Sequence, residues 1–214
     1  MGVYLWKERH RQPSSNTLLY VPMVDTITEE SWNSTITNYS VTPVTIAWVK
    51  CWYFNGSARI ESDVSAFTNV NHTLSAWVRW AGTSTWQIIS SNPCGVYKWD
   101  LLGISDSWTS VSYTVYYNSN QSWNINKSNE VMSERHHVCF SGGILYLDGV
   151  NVGSNSWGYT WGTVYTIGGH TTWSNCTRVY FTGYIGRAII ESVVWSADEV
   201  LDYFNYTKSI YWLS

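Results

Sequence analysis

The chain is dominated by short runs in which apolar and polar residues alternate. In "TLSAWVRW" (73–80), Leu74, Ala76, Val78 and Trp80 share one face and Thr73, Ser75, Trp77 and Arg79 the other, because side chains alternate in direction along a strand. "VSYTVYYN" repeats the pattern with Val111, Tyr113, Val115 and Tyr117. In "GILYLDGVNVGS" the pair Asp148-Gly149 separates two β-prone runs. A type I′ turn needs positive φ at both central residues, so this spacing predicts a hairpin over 144–153. A first strand is expected in "TLLYVPMV", after an arm of residues 1–16 that ends in "RQPSSN". The helix pattern is credible only in "SADEVLDYFN", where Ser196 and Glu199 form an S-x-x-E capping box and Val200, Leu201 and Phe204 an apolar stripe. Many short strands and one late helix predict an all-β fold, a two-sheet antiparallel jelly-roll sandwich occupying 17–214 as one domain.

Composition narrows the chemistry. Among 214 residues, 15 are Trp and 16 Tyr, while charged residues make up 13%, against about 25% in an average domain. The surface must therefore be largely Ser, Thr, Asn and aromatic edges. A net charge of -3 with scattered Lys and Arg is a poor footprint for nucleic acid, and no apolar run reaches the ~18 residues of a membrane-spanning helix, so neither nucleic-acid binding nor membrane insertion is expected. In "MGVYLWKERHR" the charges follow a short apolar run, the reverse of a signal peptide, so entry into the Sec pathway is not expected. The four cysteines, Cys51, Cys94, Cys139 and Cys176, form no CxxC pair. Cys139 in "HVCF" reads as a small buried hydrophobe, and a Cys94–Cys176 bridge is left open.

Taken in order, "CWYFNGSARIES", "FTNVNHTLSAWVRW", "WQIISS", "ERHHVCFSGGILYLDGVNVGS", "YTIGGH" and "FTGYIGRAIIESVVWSADEVLDYFN" resemble the concanavalin A-like lectin/glucanase superfamily, and within it the laminin G-like jelly rolls. The matching pieces are Phe54 to Gly56, Ser75 to Val78, His137 to Gly149, Phe181 to Ile185 and Trp195 to Val200. The resemblance implies the fold first, since that superfamily holds glycan-binding modules, adhesion domains, hydrolases and structural modules. Similar jelly rolls are frequent in bacteriophage tail and capsid-surface proteins.

The superfamily's hydrolases carry E-x-D-x-E on one strand, which places acids on one face for a two-carboxylate mechanism. Here "RIESDVS" offers Glu61 and Asp63 but Ser65 in the third place, and the pair reads as a solvated strand end. Adjacent His136 and His137 point to opposite faces and cannot share one metal, and His137 is expected to be a packing residue. No cofactor is required. The resemblance implies a structural calcium in many relatives, for which Asp100, Asp106 and Asp25 are the candidate ligands. Gly186 in "YIGRAII" stands where many relatives have an acid, which removes one ligand.

These readings lead to the expectation of a non-catalytic jelly-roll protein on the surface of a virus particle, a bacteriophage decoration, fibre or tail component acting in assembly or host-surface adhesion. Its expected partners are other virion proteins and a host cell-surface glycan; the oligomeric state is left open. A free carbohydrate-binding lectin is the competing class, and a glycoside hydrolase a third. Within the arm, Tyr4 and Trp6 beside Lys7, Arg9 and Arg11 form an apolar anchor next to a basic cluster, suited to docking on a larger assembly. In "NSWGYTWGTVYTIGGHTTWSN" the rings of Trp157, Tyr159 and Trp161 have three readings: packing, a protein interface, or a glycan platform assisted by Asn155, His170 and Trp173. The two binding readings predict that Trp157→Ala and Trp161→Ala leave the fold intact and weaken adhesion or assembly. Destabilisation of the isolated domain by ~3 kcal/mol or more in chemical denaturation would assign the ring to the core instead.

Overall fold

A computed structural model describes residues 15–21, 34–46, 49–65, 71–81, 86–91, 98–104, 111–117, 121–127, 134–154, 164–171 and 178–211. The first strands are β1 (Thr17–Val21), β2 (Ile36–Tyr39), β3 (Thr42–Ile46), β4 (Val49–Asn55), β5 (Arg59–Ser65) and β6 (Thr73–Trp80). There follow β7 (Trp86–Ser90), β8 (Lys98–Ile104), β9 (Val111–Tyr117), β10 (Gln121–Lys127), β11 (Arg135–Ser141) and β12 (Ile144–Leu147). The chain closes with β13 (Val150–Ser154), β14 (Val164–Ile167), β15 (Gly169–Thr171), β16 (Arg178–Tyr180), β17 (Thr182–Glu191) and helix α1 (Ala197–Tyr211).

The strands form two antiparallel sheets. The first runs β13-β12-β11-β6-β17-β4-β3, with β1 also paired to β17; the second runs β10-β9-β8-β7-β14-β5-β2. A short ribbon, β15-β16, stands apart. The main core lies between the sheets, where Trp52, Leu74, Phe140 and Ile185 of the first face Ile60, Ile89, Leu102 and Tyr165 of the second. Fold class is thus as the alternation implies, an all-β two-sheet sandwich with a C-terminal helix.

Two local devices follow the sequence closely. Asp148 and Gly149 have φ of 52° and 79°, as a type I′ turn requires, and join β12 to β13. At the start of α1 the Ser196 N–H donates to Glu199 Oε2 (2.8 Å) and the Glu199 N–H donates to Ser196 Oγ (3.3 Å), the reciprocal capping box.

The helix runs six residues past the stretch in which the sequence reading placed it, to Tyr211. Thr207 and Tyr211 continue its buried stripe, and both meet Trp77. The Trp77 indole N–H donates to Thr207 Oγ1 (2.9 Å), and Tyr211 stacks on Trp77 with centroids 4.6 Å apart and planes 8° apart. Tertiary packing here overrides the modest helix propensity of Thr, Ser, Ile and Tyr. As a result α1 covers the outer face of the first sheet, so β6, β11 and β17 are buried on both sides. Burial along "HHVCFS" and "GRAIIE" is accordingly almost continuous where a one-sided sheet would alternate, and it takes in polar residues as well as apolar ones.

His137 is a packing residue, as expected. It is fully buried beneath α1, with Nε2 2.8 Å from Ser75 Oγ and its ring against Trp77 and Tyr203. His136 faces the other way and pairs Nδ1 with Asp148 Oδ2 at 2.7 Å. Cys139 is buried beside Tyr146, also as expected.

Burial pushes the His137 pKa down to about 4, against the opposing attraction of Asp148. The unfolded chain, titrating near ~6.5, then binds more protons than the folded one between those values, so stability is full above the unfolded pKa and falls as pH drops toward the folded one. Urea unfolding should show the wild type losing about 3 kcal/mol more than His137→Gln between pH 7.5 and 4, since glutamine keeps a partner for Ser75 but does not titrate. Parallel pH profiles for the two proteins would refute this assignment.

Candidate functional site

The acids that most resemble a hydrolytic pair are used structurally. Glu61 Oε1 accepts from Arg59 Nε at 2.6 Å, and Asp63 Oδ1 accepts from the Thr35 N–H at 2.7 Å. Both lie on the solvent side of β5 while Ile60 and Val64 point inward. Strand alternation put them on one face, as predicted, and their bonds are those of a solvated strand.

Of the other candidates, Trp157, Tyr159, Trp161, Asn155 and Trp173 lie outside the described residues, as do Tyr4, Trp6, Lys7, Arg9 and Arg11 of the arm. Asp25, Asp106, Cys94 and Cys176 also lie outside them. His170 sits in β15 opposite Val179, and Asp100 sits in β8 opposite Val115. Among the described residues no group of three or more metal-ligating side chains comes together.

The register of the first sheet brings together a set that sequence reading missed. Tyr53 of β4 lies opposite Tyr184 of β17, Tyr184 opposite Arg79 of β6, and Arg79 opposite Arg135 of β11. Directly opposed residues share a face, so two tyrosines and two arginines form one straight row across four strands, spanning about 14 Å. All four side chains are half-buried. The Tyr53 and Tyr184 rings are 5.3 Å apart and tilted by 40°, and the Arg79 guanidinium lies 5.8 Å from the Tyr184 centroid.

The arginine end of the row opens into a shallow cleft of about 240 Å³, open solvent included, lined by Arg79, Arg135, Tyr184, Cys51, Gly186 and Tyr211, with Val49, Trp77 and Val78. Tyr211 of α1 closes one wall. Gly186 permits this approach, because a Cβ there would come within 2.5 Å of the Tyr211 ring. Arg135 is fixed by two neutral acceptors, donating from Nη1 to the Tyr211 carbonyl (2.8 Å) and from Nη2 to the Ile46 carbonyl (3.0 Å). Desolvation lowers the Arg135 pKa; Cys51 opposes that shift and Arg79 adds to it.

"TLSAWVRW" already placed Arg79 on the outer face. No sequence feature, however, shows that Tyr53, Tyr184 and Arg135, distant along the chain, stand beside it.

No family model matches the chain, and no curated protein matches it in sequence. Solved structures do match in fold. Domain 4 of AbnA, a GH43 extracellular arabinanase from Geobacillus stearothermophilus, in complex with arabinotriose, aligns at TM-score 0.64 and 14% identity over 88% of this chain and 98% of that domain. The receptor-binding domain of botulinum neurotoxin D aligns at TM-score 0.67 and 12% identity over 89% of this chain and 52% of its own. A botulinum neurotoxin type C structure, described in terms of two ganglioside molecules needed for cell entry, aligns at TM-score 0.64 and 13% identity over 92% and 52%. The chain spans about half the length of these toxin domains. At such identities the likeness establishes the β-sandwich fold.

Burial pushes the Cys51 thiol up to about 11, against the pull of Arg135 and Arg79. In a variant keeping Cys51 as its single cysteine, native protein at pH 7.5 should react with a maleimide about a hundredfold more slowly than the urea-unfolded chain. Equal rates would show that Cys51 does not form the cleft floor.

Proposed function

We propose that the protein is a non-catalytic recognition module that binds a saccharide at a cell surface. The row Tyr53–Tyr184–Arg79–Arg135 carries this reading: flat aromatic faces beside fixed donors, on the outer face of a rigid sheet, are the means by which a surface holds a sugar. The structural use of Glu61 and Asp63 argues against glycoside hydrolysis at β5. The matched sandwiches support the reading by analogy, one having been solved with arabinotriose and others being toxin receptor-binding domains.

The finer assignment is that the module sits on a virus particle, as a bacteriophage decoration, fibre or tail component, with residues 1–16 docking it to other virion proteins. A structural calcium at Asp100, Asp106 or Asp25 belongs to the same proposal. A glycan array, polysaccharide digestion assays and mass analysis of purified particles test the reading together. Retention on an array without release of reducing ends, and presence in the particles, are the expected results. Binding without particle incorporation would make it a free lectin, sugar release would make it a hydrolase, and no glycan retained would remove the recognition role.

A further inference from the structure

We infer that the outer face of the second sheet carries a further saccharide site, in which a neutral sugar lies on the ring of Tyr39 and donates a hydroxyl to Glu61. This adds a second contact surface to the saccharide-binding reading and rests on it.

Among the residues whose side chains are described, Tyr39 is the one exposed aromatic, at 38%. It sits on β2, the edge strand of the second sheet, directly opposite Arg59 of β5. The Arg59 guanidinium lies 3.7 Å over one face of the ring, so what the ring exposes is its other face and its edge. The backbone beside it is fixed as well. Asn38 closes the turn after β2, accepting from the Val41 N–H at Oδ1 (2.9 Å) and donating from Nδ2 to the Val41 carbonyl (3.1 Å), with Ser40 at a φ of 62°. An exposed tyrosine ordinarily gives up rotamer freedom when a ligand covers it, whereas this one is held before the ligand arrives.

The neighbouring row supplies the polar contacts. Two residues along β5, about 7 Å away, Glu61 lies between Thr37 of β2 and Thr166 of β14, each directly opposite it. Glu61 accepts from Arg59 Nε at 2.6 Å, and its side chain is 31% exposed. A carboxylate has about four lone-pair sites, so a bond from a sugar hydroxyl is compatible with the one from Arg59. Asp63 follows on the same face, so two carboxylates stand there against one guanidinium, which disfavours an anionic sugar. The ligand that fits has a C–H face for the ring, hydroxyls at its rim and no charge. The Tyr53–Tyr184 row lies on the outer face of the other sheet, with the core between them, so a short saccharide touches one surface or the other.

The test titrates the full chain against immobilised arabinotriose, maltotriose, mannotriose and trigalacturonate by biolayer interferometry, with Tm recorded for each variant. At least one neutral trisaccharide should bind better than trigalacturonate, with little change on adding salt. Tyr39→Ala should weaken that binding about tenfold, and Tyr39→Phe, which keeps the ring, by less than about twofold. Glu61→Gln should weaken it roughly five- to tenfold, as a charge-assisted bond becomes a neutral one. Tyr184→Ala should leave this binding in place. A neutral trisaccharide whose binding ignores Tyr39→Ala and Glu61→Gln, or follows Tyr184→Ala alone, would overturn the inference while leaving saccharide recognition standing. Preference for trigalacturonate would do the same. Retention of no neutral trisaccharide would also overturn it; a glycan array that still retains a sugar would then leave the recognition role, and a blank array would remove both.

Discussion

One extra residue in β17 organises the rest of the molecule. Between Ile185 and Ala188 the strand advances three residues while β6 advances two, from Val78 to Ala76. Before this bulge Ile185 faces the core, and after it Ala188 and Ile190 do so. Without it the period-two rule would turn Arg187 into the space between the sheets and Ala188 out of it. With it, Gly186 and Arg187 both lie on the outer side. Gly186 makes room for Tyr211, and the Arg187 backbone N–H donates to the Tyr211 hydroxyl at 3.1 Å. Burial works against the Arg187 charge, but the phenols of Tyr203, Tyr211 and Tyr20 outweigh it and hold the guanidinium above its ordinary pKa. The bulge also divides β17 between two partners on one edge, β4 for its first half and β1 for its second.

Helix α1 can dock only because that surface exists. Trp77 lies between Phe204 and Tyr211 in one aromatic stack, and Trp195, just before the helix, is anchored by polar groups of the sheet. The Trp195 N–H donates to Ser141 Oγ (2.7 Å), Ser141 Oγ donates to the Trp195 carbonyl (2.9 Å), and the indole N–H donates to Glu191. Thr17 Oγ1 donates to the other Glu191 oxygen at 2.9 Å. Glu191 is almost fully buried, a position a carboxylate tolerates only with hydrogen-bond partners. Strands from the two ends of the chain and the root of the helix thus meet on one side chain.

Local signals were legible in the sequence and register was not. Alternation in "TLSAWVRW", the Asp148-Gly149 turn and the Ser196/Glu199 box each depend on residues within a few positions of one another, so the chain states them directly. The second half of α1 depends on Trp77, more than a hundred residues earlier, and its own propensities do not announce it. The bulge at Gly186 depends on what faces β17 on either side. The tyrosine–arginine row is the extreme case, since it exists only through three separate strand pairings. The sequence showed instead the aromatics that lie close together in "NSWGYTWG", because nearness along the chain is the only nearness a sequence displays.

The row lies on the same outer face of the first sheet that α1 packs against. Elsewhere on this outer face polar groups of the two strands meet: Thr73 lies directly opposite Ser141, at 2.9 Å, and Ser75 reaches diagonally to His137, at 2.8 Å. Further along the same two strands Arg79 lies opposite Arg135. Arg135 has a structural reason to be cationic, because its donors meet a carbonyl at the C-terminus of α1, where the helix dipole favours positive charge. Arg79, directly opposite, has its guanidinium 5.8 Å from the Tyr184 ring centroid, so the register itself hands each arginine a different neighbour to lie against.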